Sequence, residues 1–336
     1  MLRNNDLGDV LVATPLLKGL RKAFPKAKIA IGVGKWAKPL LENNPEIDEI
    51  ISCNAPWHNK QNCRFPANSP KTFLEGLFYV LFSKESRSIT KKRFSHGIDI
   101  LGSRQGSWLL RRATIPNRLG VKGYAGGDNW CQKCVQFNET QKVAEAALEF
   151  LPLLGAKKQI EPRPSIFLTH AEEEDAKKRW HFQSEKSHKV IIAPGGGFNE
   201  KCWGNENYKK LTTLLQNDPA LTISIIGSKD DKSRIKIEEN DRVRNFCGKL
   251  TLRQSAAMVS QSHFVITNSS FSMHLAGAFK VPSLTLLGNW YDSAKLHHQQ
   301  WGYPEGTIRG KERNAGINNI TSVEEALIRI KSQLKQ

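Results

Sequence analysis

The sequence predicts an α/β fold made of two doubly wound domains, each a parallel sheet with helices on both faces. Three observations carry this expectation. The chain has 336 residues, enough for two domains that each bury a core. Short apolar, β-branched runs alternate with amphipathic stretches, the rhythm of strand–helix–strand units. The segment Phe264–Gly288, FVITNSSFSMHLAGAFKVPSLTLLG, compresses that rhythm into one unit of strand, sharp turn, short helix and strand.

In the first half, Leu7-Gly8-Asp9-Val10 has the form of a turn after a strand, although almost no strand precedes it. Val10–Phe24 follows as a helix, with Pro15 in its early part, where proline is tolerated. Strands are expected at Lys28–Val33 and Ile47–Ser52, with a helix over Trp36–Asn43 between them. Asn54–Ser69 is polar and reads as a long loop. Thr72–Phe82 is a helix apolar on most sides. Gly97–Gly102 is a strand, Trp108–Ala113 a short helix and Arg118–Val121 a short strand. Gly123–Trp130 is an irregular glycine-rich loop, and Gln141–Leu154 a helix that Gly155 terminates.

Charge and two prolines place the interdomain connection at about 157–185, between a first domain over 1–156 and a second over 186–336. Thr169–Phe182 reads as a helix, acidic early and basic late, in accord with the helix dipole. Strands follow at Val190–Ala193, Leu221–Ile226 and Arg242–Phe246; helices at Asn205–Leu215, Lys232–Asn240 and Leu252–Ser260. After the strand Phe264–Thr267, the residues Asn268, Ser269 and Ser270 are of the types that cap helices through side-chain oxygens. The helix runs from about Ser272 to Phe279, and Ser283–Leu287 starts the next strand. A terminal helix over 323–334 is expected to pack back on the first domain.

Composition narrows the function. With 39% hydrophobic and 24% charged residues the chain is globular. It holds no run of about 18 apolar residues, the length a membrane helix needs. The polar start argues against a signal peptide, and six scattered cysteines suggest free thiols in a reducing cytoplasm. The net charge of +18 is spread over both halves and suits anionic partners: nucleic acid, lipid headgroups or phosphorylated glycolipids. The densest part, Lys84–Arg112, is a solvated basic face or a contact for a membrane surface or acidic acceptor. No recognisable nucleic-acid module accompanies the charge.

Three turns at strand carboxyl ends, Leu7–Asp9, Pro194–Trp203 and Asn268–His274, are the candidate site, since ligands of open α/β sheets gather there. A helix opening at such an end offers unpaired N–H groups to phosphate. His274, in the first turn, is a further donor; an ordinary capped helix is the competing reading. Gly195, Gly196 and Gly197 permit close backbone approach to a ligand, and Lys201 supplies a charge. The loop matches neither a P-loop nor a dinucleotide fingerprint. Asp9 is either a charge stabilising the helix dipole or a general base facing a cleft, with Asp6 as the competing carboxylate. Cys131 and Cys134 form a single pair, and His297–His298 reads as a surface pair. Neither reaches the ligand count of a structural metal site.

At this point the residues resemble a family. Leu7–Leu17 with Leu20-Arg21 and Phe24-Pro25, then Asn44–Ile50, resemble the opening of the ADP-heptose:lipopolysaccharide heptosyltransferases, glycosyltransferase family 9. Pro194-Gly195-Gly196, Lys201-Cys202-Trp203, Tyr208–Leu211, Phe246–Leu252 and Asn268–Ala276 continue the pattern in order over nearly the full chain. The resemblance implies a GT-B fold, two Rossmann-like domains facing across a cleft. It implies an inverting, metal-independent, cofactor-free transfer of a sugar, heptose from ADP-heptose, to a lipopolysaccharide core or related glycolipid. Asp9 falls at the family's proposed base and Lys201 at its phosphate-binding lysine. Ser270 and His274 fall at diphosphate contacts, and Asp231 near a ribose-binding acid. Gly195, Gly196, Gly197, Leu250 and Ser269 complete the donor set; Lys84, Arg104, Arg111 and Arg112 are the acceptor cations. A monomer at the cytoplasmic face of the inner membrane, without nucleic acid or metal, goes with this reading. One departure stands out: where the family has an acidic residue and a glycine, this chain has Ser269 and Phe271. That leaves open a different donor sugar, or a sugar-nucleotide-binding protein impaired in transfer.

Overall fold

The computed structural model describes residues 1–66, 69–180, 187–234 and 237–334. Two compact units divide the chain at Phe167/Leu168. The stretch up to Phe167 belongs to the first, where the Ser165 amide donates to Thr14 Oγ1 at 2.8 Å. The helix His170–Trp180 belongs to the second, where Trp180 Nε1 donates to the Met258 carbonyl; the remainder of the expected connection, 181–185, lies outside the described residues.

In the first unit the strands are β1 (Ala30–Val33), β2 (Glu49–Ser52), β3 (His96–Ile98), β4 (Asn117–Lys122) and β5 (Lys133–Gln136), all paired in parallel. Met1–Arg3 occupies the position between β1 and β3. Leu2 bridges in parallel to Gly32 on one side and Asp99 on the other. Its amide donates to the Ile98 carbonyl at 2.7 Å, and the Arg3 amide to Gly32 at 3.0 Å. The spatial order is therefore β2–β1–(Met1–Arg3)–β3–β4–β5. The chain reverses its winding at the first segment, so Asn4–Asp9 leaves the sheet at a topological switch point. The missing first strand of the sequence reading is thus supplied by three residues.

Several elements differ from expectation for local reasons. The helix over Val10–Phe24 is two helices, Leu7–Val12 and Thr14–Ala23. Thr14 Oγ1 donates to the Leu11 carbonyl, and Pro15, lacking an N–H, starts the second helix. Trp36–Asn43 forms only a 3₁₀ turn at Lys38–Leu40, and Asn43 adopts a left-handed conformation (φ 61°). The basic run after Ser83 is a helix, Lys84–Lys91, and Trp108–Ala113 begins earlier, as Arg104–Arg112 capped by Ser103. The helix over Gln141–Leu154 is two short ones, Val143–Leu148 and Phe150–Leu153.

The second unit holds one six-stranded parallel sheet of β6 (His188–Ala193), β7 (Leu221–Ile225), β8 (Val243–Asn245), β9 (Phe264–Thr267), β10 (Ser283–Leu286) and β11 (Gly306–Arg309). Its order is β11–β10–β9–β6–β7–β8. The winding reverses between β6 and β9, which puts the loops after these two strands side by side. β9 is buried throughout and β6 from Val190 onward, and the core on one face gathers Val190, Ile192, Phe264 and Ile266 with Trp203 and Tyr208. The terminal helix Val323–Leu334, expected on the first domain, gives Val323, Ala326 and Ile330 to this same core. The helix expected over Lys232–Asn240 is instead Lys229–Arg234, and Val243 and Asn240 pair as a bridge; residues 235 and 236 lie outside the described set.

Candidate functional site

In the second unit, Asn268 organises the site. Its side chain is fully buried and makes four hydrogen bonds between neighbouring loops. Nδ2 donates to the carbonyls of Pro194 (2.5 Å) and Gly195 (3.3 Å). Oδ1 accepts from the Trp203 amide (2.9 Å) and the Tyr208 hydroxyl (3.1 Å). One amide thus fastens the end of β9 to both limbs of the Pro194–Trp203 loop. Gly195 and Gly196 lie under the same constraint. A Cβ at Gly195 would stand 2.6 Å from Asp231 Oδ2, and one at Gly196 2.6 Å from Cys202 Sγ. Gly197 is exposed.

The sequence expects Asn268, Ser269 and Ser270 to cap the following helix, Phe271–Phe279. They do not: its N-cap Ser270 makes no side-chain capping bond. Each oxygen is engaged elsewhere. Asn268 holds the loops, Ser269 Oγ meets His297 Nε2 at 2.6 Å, and Ser270 Oγ meets Thr267 Oγ1 at 3.2 Å. The helix therefore opens at the switch point without a side-chain cap, and its first-turn N–H groups and positive dipole end suit an anion.

Lys201 ends a 3₁₀ turn beside this opening. Its ammonium lies 4.4 Å from the Trp290 ring centroid, 5.0 Å from Phe198 and 5.9 Å from Tyr291. The three ring faces attract the cation and limit its travel. The Gly288 amide donates to the Lys201 carbonyl, and Trp290 N to the Glu200 carbonyl, joining this turn to the loop after β10.

His297, taken from sequence as a surface residue, is partly buried and packs into the candidate site beside Ser269. Its ring lies 4.6 Å from that of Tyr291 and 6.4 Å from that of Trp301. Burial first, and the Lys201 charge second, hold its pKa down to about 4. The signal that sequence reading lacked is the helix Ala294–Trp301, too polar in composition to be recognised. His274 is buried; its Nδ1 pairs with the Tyr303 hydroxyl at 2.8 Å, and desolvation lowers its pKa to about 3. It is a neutral ring in the first turn of the helix, not a cation.

Asp231 sits in the helix Lys229–Arg234. Its Oδ2 accepts from the Ser228 amide (2.7 Å) and hydroxyl (2.8 Å), and the carboxylate abuts Gly195 and Gly227. Leu250, half-buried, ends the turn that leads into Leu252–Ser260. That turn is tied to the same place by the Gly248 amide, which donates to the Gly227 carbonyl at 2.9 Å. The sequence-chosen residues 195–197, 201, 231, 250, 269, 270 and 274 thus all lie on loops and helix starts at one edge of one sheet.

In the first unit, Asp9 lies in the first turn of Leu7–Val12. Buried Arg3 reaches it, Nη2 to Oδ1 at 3.2 Å and Nε to the backbone carbonyl at 3.3 Å. The Asp9 side chain keeps 32% exposure while that of Arg3 keeps 8%. Asp6, the competing carboxylate, accepts from the Lys60 amide at 2.9 Å. The loop before Asp9 is lashed down: Asn4 Nδ2 donates to Trp57 O, Asn5 Nδ2 to His58 O, and Trp36 Nε1 to Asn5 O. Sequence reading missed Arg3 and also Asp99, a buried carboxyl that desolvation raises to about 6.

The four expected acceptor cations are exposed but not gathered. Lys84 starts one helix, while Arg104 and the pair Arg111, Arg112 stand at opposite ends of another. Arg111 lies over the Trp130 ring at 4.6 Å. Cys131 Sγ pairs with Ser107 Oγ, and Cys134 lies on β5. Among the described residues no group of three or more His, Cys, Asp or Glu is placed to hold a metal.

Comparison with known proteins gives these features a context. The model of glycosyltransferase family 9 (heptosyltransferase) matches residues 83–303. Lipopolysaccharide heptosyltransferase 2 of Salmonella typhimurium is 22% identical over 305 residues, covering 84% of this chain and 80% of its own. Lipopolysaccharide heptosyltransferase 3 of Escherichia coli is 22% identical over 295 residues, covering 84% and 79%. Among solved structures, E. coli ADP-heptose lipopolysaccharide heptosyltransferase II superposes with a TM-score of 0.73 at 19% identity, covering 100% of this chain and 98% of its own. A family 9 glycosyltransferase from Veillonella parvula gives 0.75 at 19% identity, covering 99% and 95%. With the family model matching more than half of its length, this chain belongs to glycosyltransferase family 9 and is a glycosyltransferase of the GT-B fold.

Proposed function

We propose that this chain transfers heptose from ADP-heptose, with inversion and without a metal, to a hydroxyl of a lipopolysaccharide core or related anionic glycolipid. The observation that carries the reading is the uncapped start of Phe271–Phe279 beside Lys201 at the second unit's switch point. The diphosphate accepts from the helix N–H groups and from Lys201, which stabilises the charge that grows as ADP departs. Ser270 and neutral His274 flank that position. Asp231 and the turn at Leu250 serve the ribose and base. Asp9, anionic beside Arg3, takes the acceptor proton as the acceptor oxygen bonds to the anomeric carbon and the bond to the diphosphate breaks. Lys84, Arg104, Arg111 and Arg112 attract the acceptor's anionic groups. The chain works as a monomer on the cytoplasmic side of the inner membrane.

One observation favours a second reading. Ser269, where the family pattern carries an acid, is spent on His297, so a serine–imidazole pair stands in place of a carboxylate. The exchange of that acid for a serine, and of the glycine two residues later for Phe271, supports a donor sugar other than heptose on the same diphosphate site, or a site that binds without transfer. The test is binding and transfer with ADP-heptose and with other ADP-, GDP- and UDP-sugars, on the wild type and Asp9→Asn. The expected result is donor binding within a few-fold of wild type for Asp9→Asn and transfer reduced by about 10²–10⁴. Full activity in that variant removes Asp9 as base; nucleotide binding without turnover of any donor selects the impaired reading.

A further inference from the structure

The helix Pro70–Phe82 is apolar on two faces. One packs inward: Thr72, Gly76 and Val80 are buried, and Tyr79 meets Trp57 edge-on at 5.3 Å. The other faces solvent with Leu74, Phe78, Leu81 and Phe82 exposed by 50%, 63%, 40% and 61%. Spacings of four, three and one residues put these side chains on one stripe of a helix. The Phe78 and Phe82 rings lie 5.9 Å apart along it. Among the described residues, every other helix exposes at most one large hydrophobic side chain.

The charge around the stripe has one sign. Ser83 ends this helix and caps the next, Lys84–Lys91, which exposes Lys84, Arg87 and Lys91 at successive turns. Arg87 Nη2 donates to the Phe82 carbonyl at 2.6 Å, which anchors the guanidinium at the end of the apolar stripe. Exposed Lys71 stands at the other end. The nearby acids are withdrawn: Glu85 turns inward to the Tyr79 hydroxyl and to Asn54, and Glu75 lies 3.9 Å from Arg64.

We infer that this stripe and its basic flank dock on the surface of an anionic lipid bilayer, the apolar side chains entering the headgroup–acyl boundary and the cations meeting lipid phosphates. The helix, 13 residues long, is too short to span a bilayer, and an exposed apolar stripe flanked by cations is the chemistry of attachment at the interface. Exposed cations at both ends and acids turned away match anionic headgroups. The inference gives the proposed acceptor a lipid surface to come from, and it stands or falls separately from the donor chemistry.

The test is flotation of the full chain with phosphatidylcholine vesicles holding 30% phosphatidylglycerol, against phosphatidylcholine alone. The wild type should float with the anionic vesicles and release at high salt. Phe78→Ser/Phe82→Ser should lower partitioning at least tenfold, and Arg87→Gln/Lys91→Gln about 25-fold on anionic vesicles only, since each cation near the surface contributes about fivefold. Unchanged melting temperatures and unchanged transfer to a deacylated, water-soluble acceptor by the Phe78/Phe82 variant would separate lost docking from misfolding or lost chemistry. A wild type that ignores anionic vesicles, or variants that float as it does, overturns the inference. So does a dimer that the Phe78/Phe82 variant converts to monomer with vesicle binding unchanged.

Discussion

Replacing Asn268 by alanine tests whether one buried amide holds the candidate site of the second unit together. The substitution removes four hydrogen bonds from a fully buried position. It orphans two donors, the Trp203 amide and the Tyr208 hydroxyl. An unsatisfied buried group costs about 1–3 kcal/mol, so the loss should be about 2–6 kcal/mol. In a unit of this size each kcal/mol moves the midpoint by about 2–4 °C, so the second unit's melting temperature should fall by about 10 °C. Asn268→Asp adds a pH signature. It keeps the acceptor for Trp203 and Tyr208 but turns an oxygen toward the Pro194 and Gly195 carbonyls, so the carboxyl's folded pKa rises. A raised pKa means the folded state holds its proton longer, so this variant is less destabilised at pH 4 and loses stability as pH rises toward neutrality. Calorimetry on both variants between pH 4 and 7.5, with ADP binding beside it, checks the argument. A drop under about 2 °C for the alanine variant, or an aspartate variant more stable at pH 7 than at pH 4, would refute it.

Other outcomes follow from the same geometry. Trp290→Ala removes the nearest ring face from Lys201 and should weaken ADP binding about fivefold, the equivalent of about 1 kcal/mol of cation–π contact, as titration calorimetry would show; unchanged affinity would mean the ring does not place the lysine. Arg253 and Glu172 form a two-pronged ion pair between the helices His170–Trp180 and Leu252–Ser260, and the hydrogen bond from Arg253 takes the Glu172 pKa down to about 2. A depressed carboxyl stabilises the fold above its ordinary pKa and loses that contribution as pH falls toward 2, so Arg253→Met should cost about 1–2 kcal/mol at pH 7 and flatten acid unfolding followed by tryptophan fluorescence. His274 and His297 have lowered pKa values, near 3 and 4. The unfolded chain therefore binds protons first, and stability should drop as pH falls from 6.5 toward 4. His297→Gln should remove part of that slope, and an identical pH profile would contradict the burial of the ring.

Much of the second unit is legible in the sequence because local and long-range preferences agree there. The helices Asn205–Leu215, Leu252–Ser260 and Val323–Leu334 begin and end where apolar spacing and caps place them. The failures have physical causes. Ala294–Trp301 and β5 carry too few apolar residues to announce themselves, one held by packing of Tyr291 and the histidines, the other by parallel pairing with β4. At Asn268–Ser270 the residue types of helix caps are present, but buried carbonyls, an imidazole and a neighbouring threonine compete for the same oxygens and win. The candidate site residues Gly195, Lys201 and Asp231 are readable as loop chemistry; Arg3 meets Asp9 only six residues on, where no motif marks the pair, and His297 becomes visible only when distant segments meet.

The division of tasks between neighbours at β9 has a practical outcome for redesign. Asn268 fastens the scaffold, while the adjacent Ser269 meets His297 and Tyr291. With the donor placed as proposed, a library varying Ser269 with His297 and leaving Asn268 untouched should retune which sugar is accepted without loosening the loops that Asn268 ties.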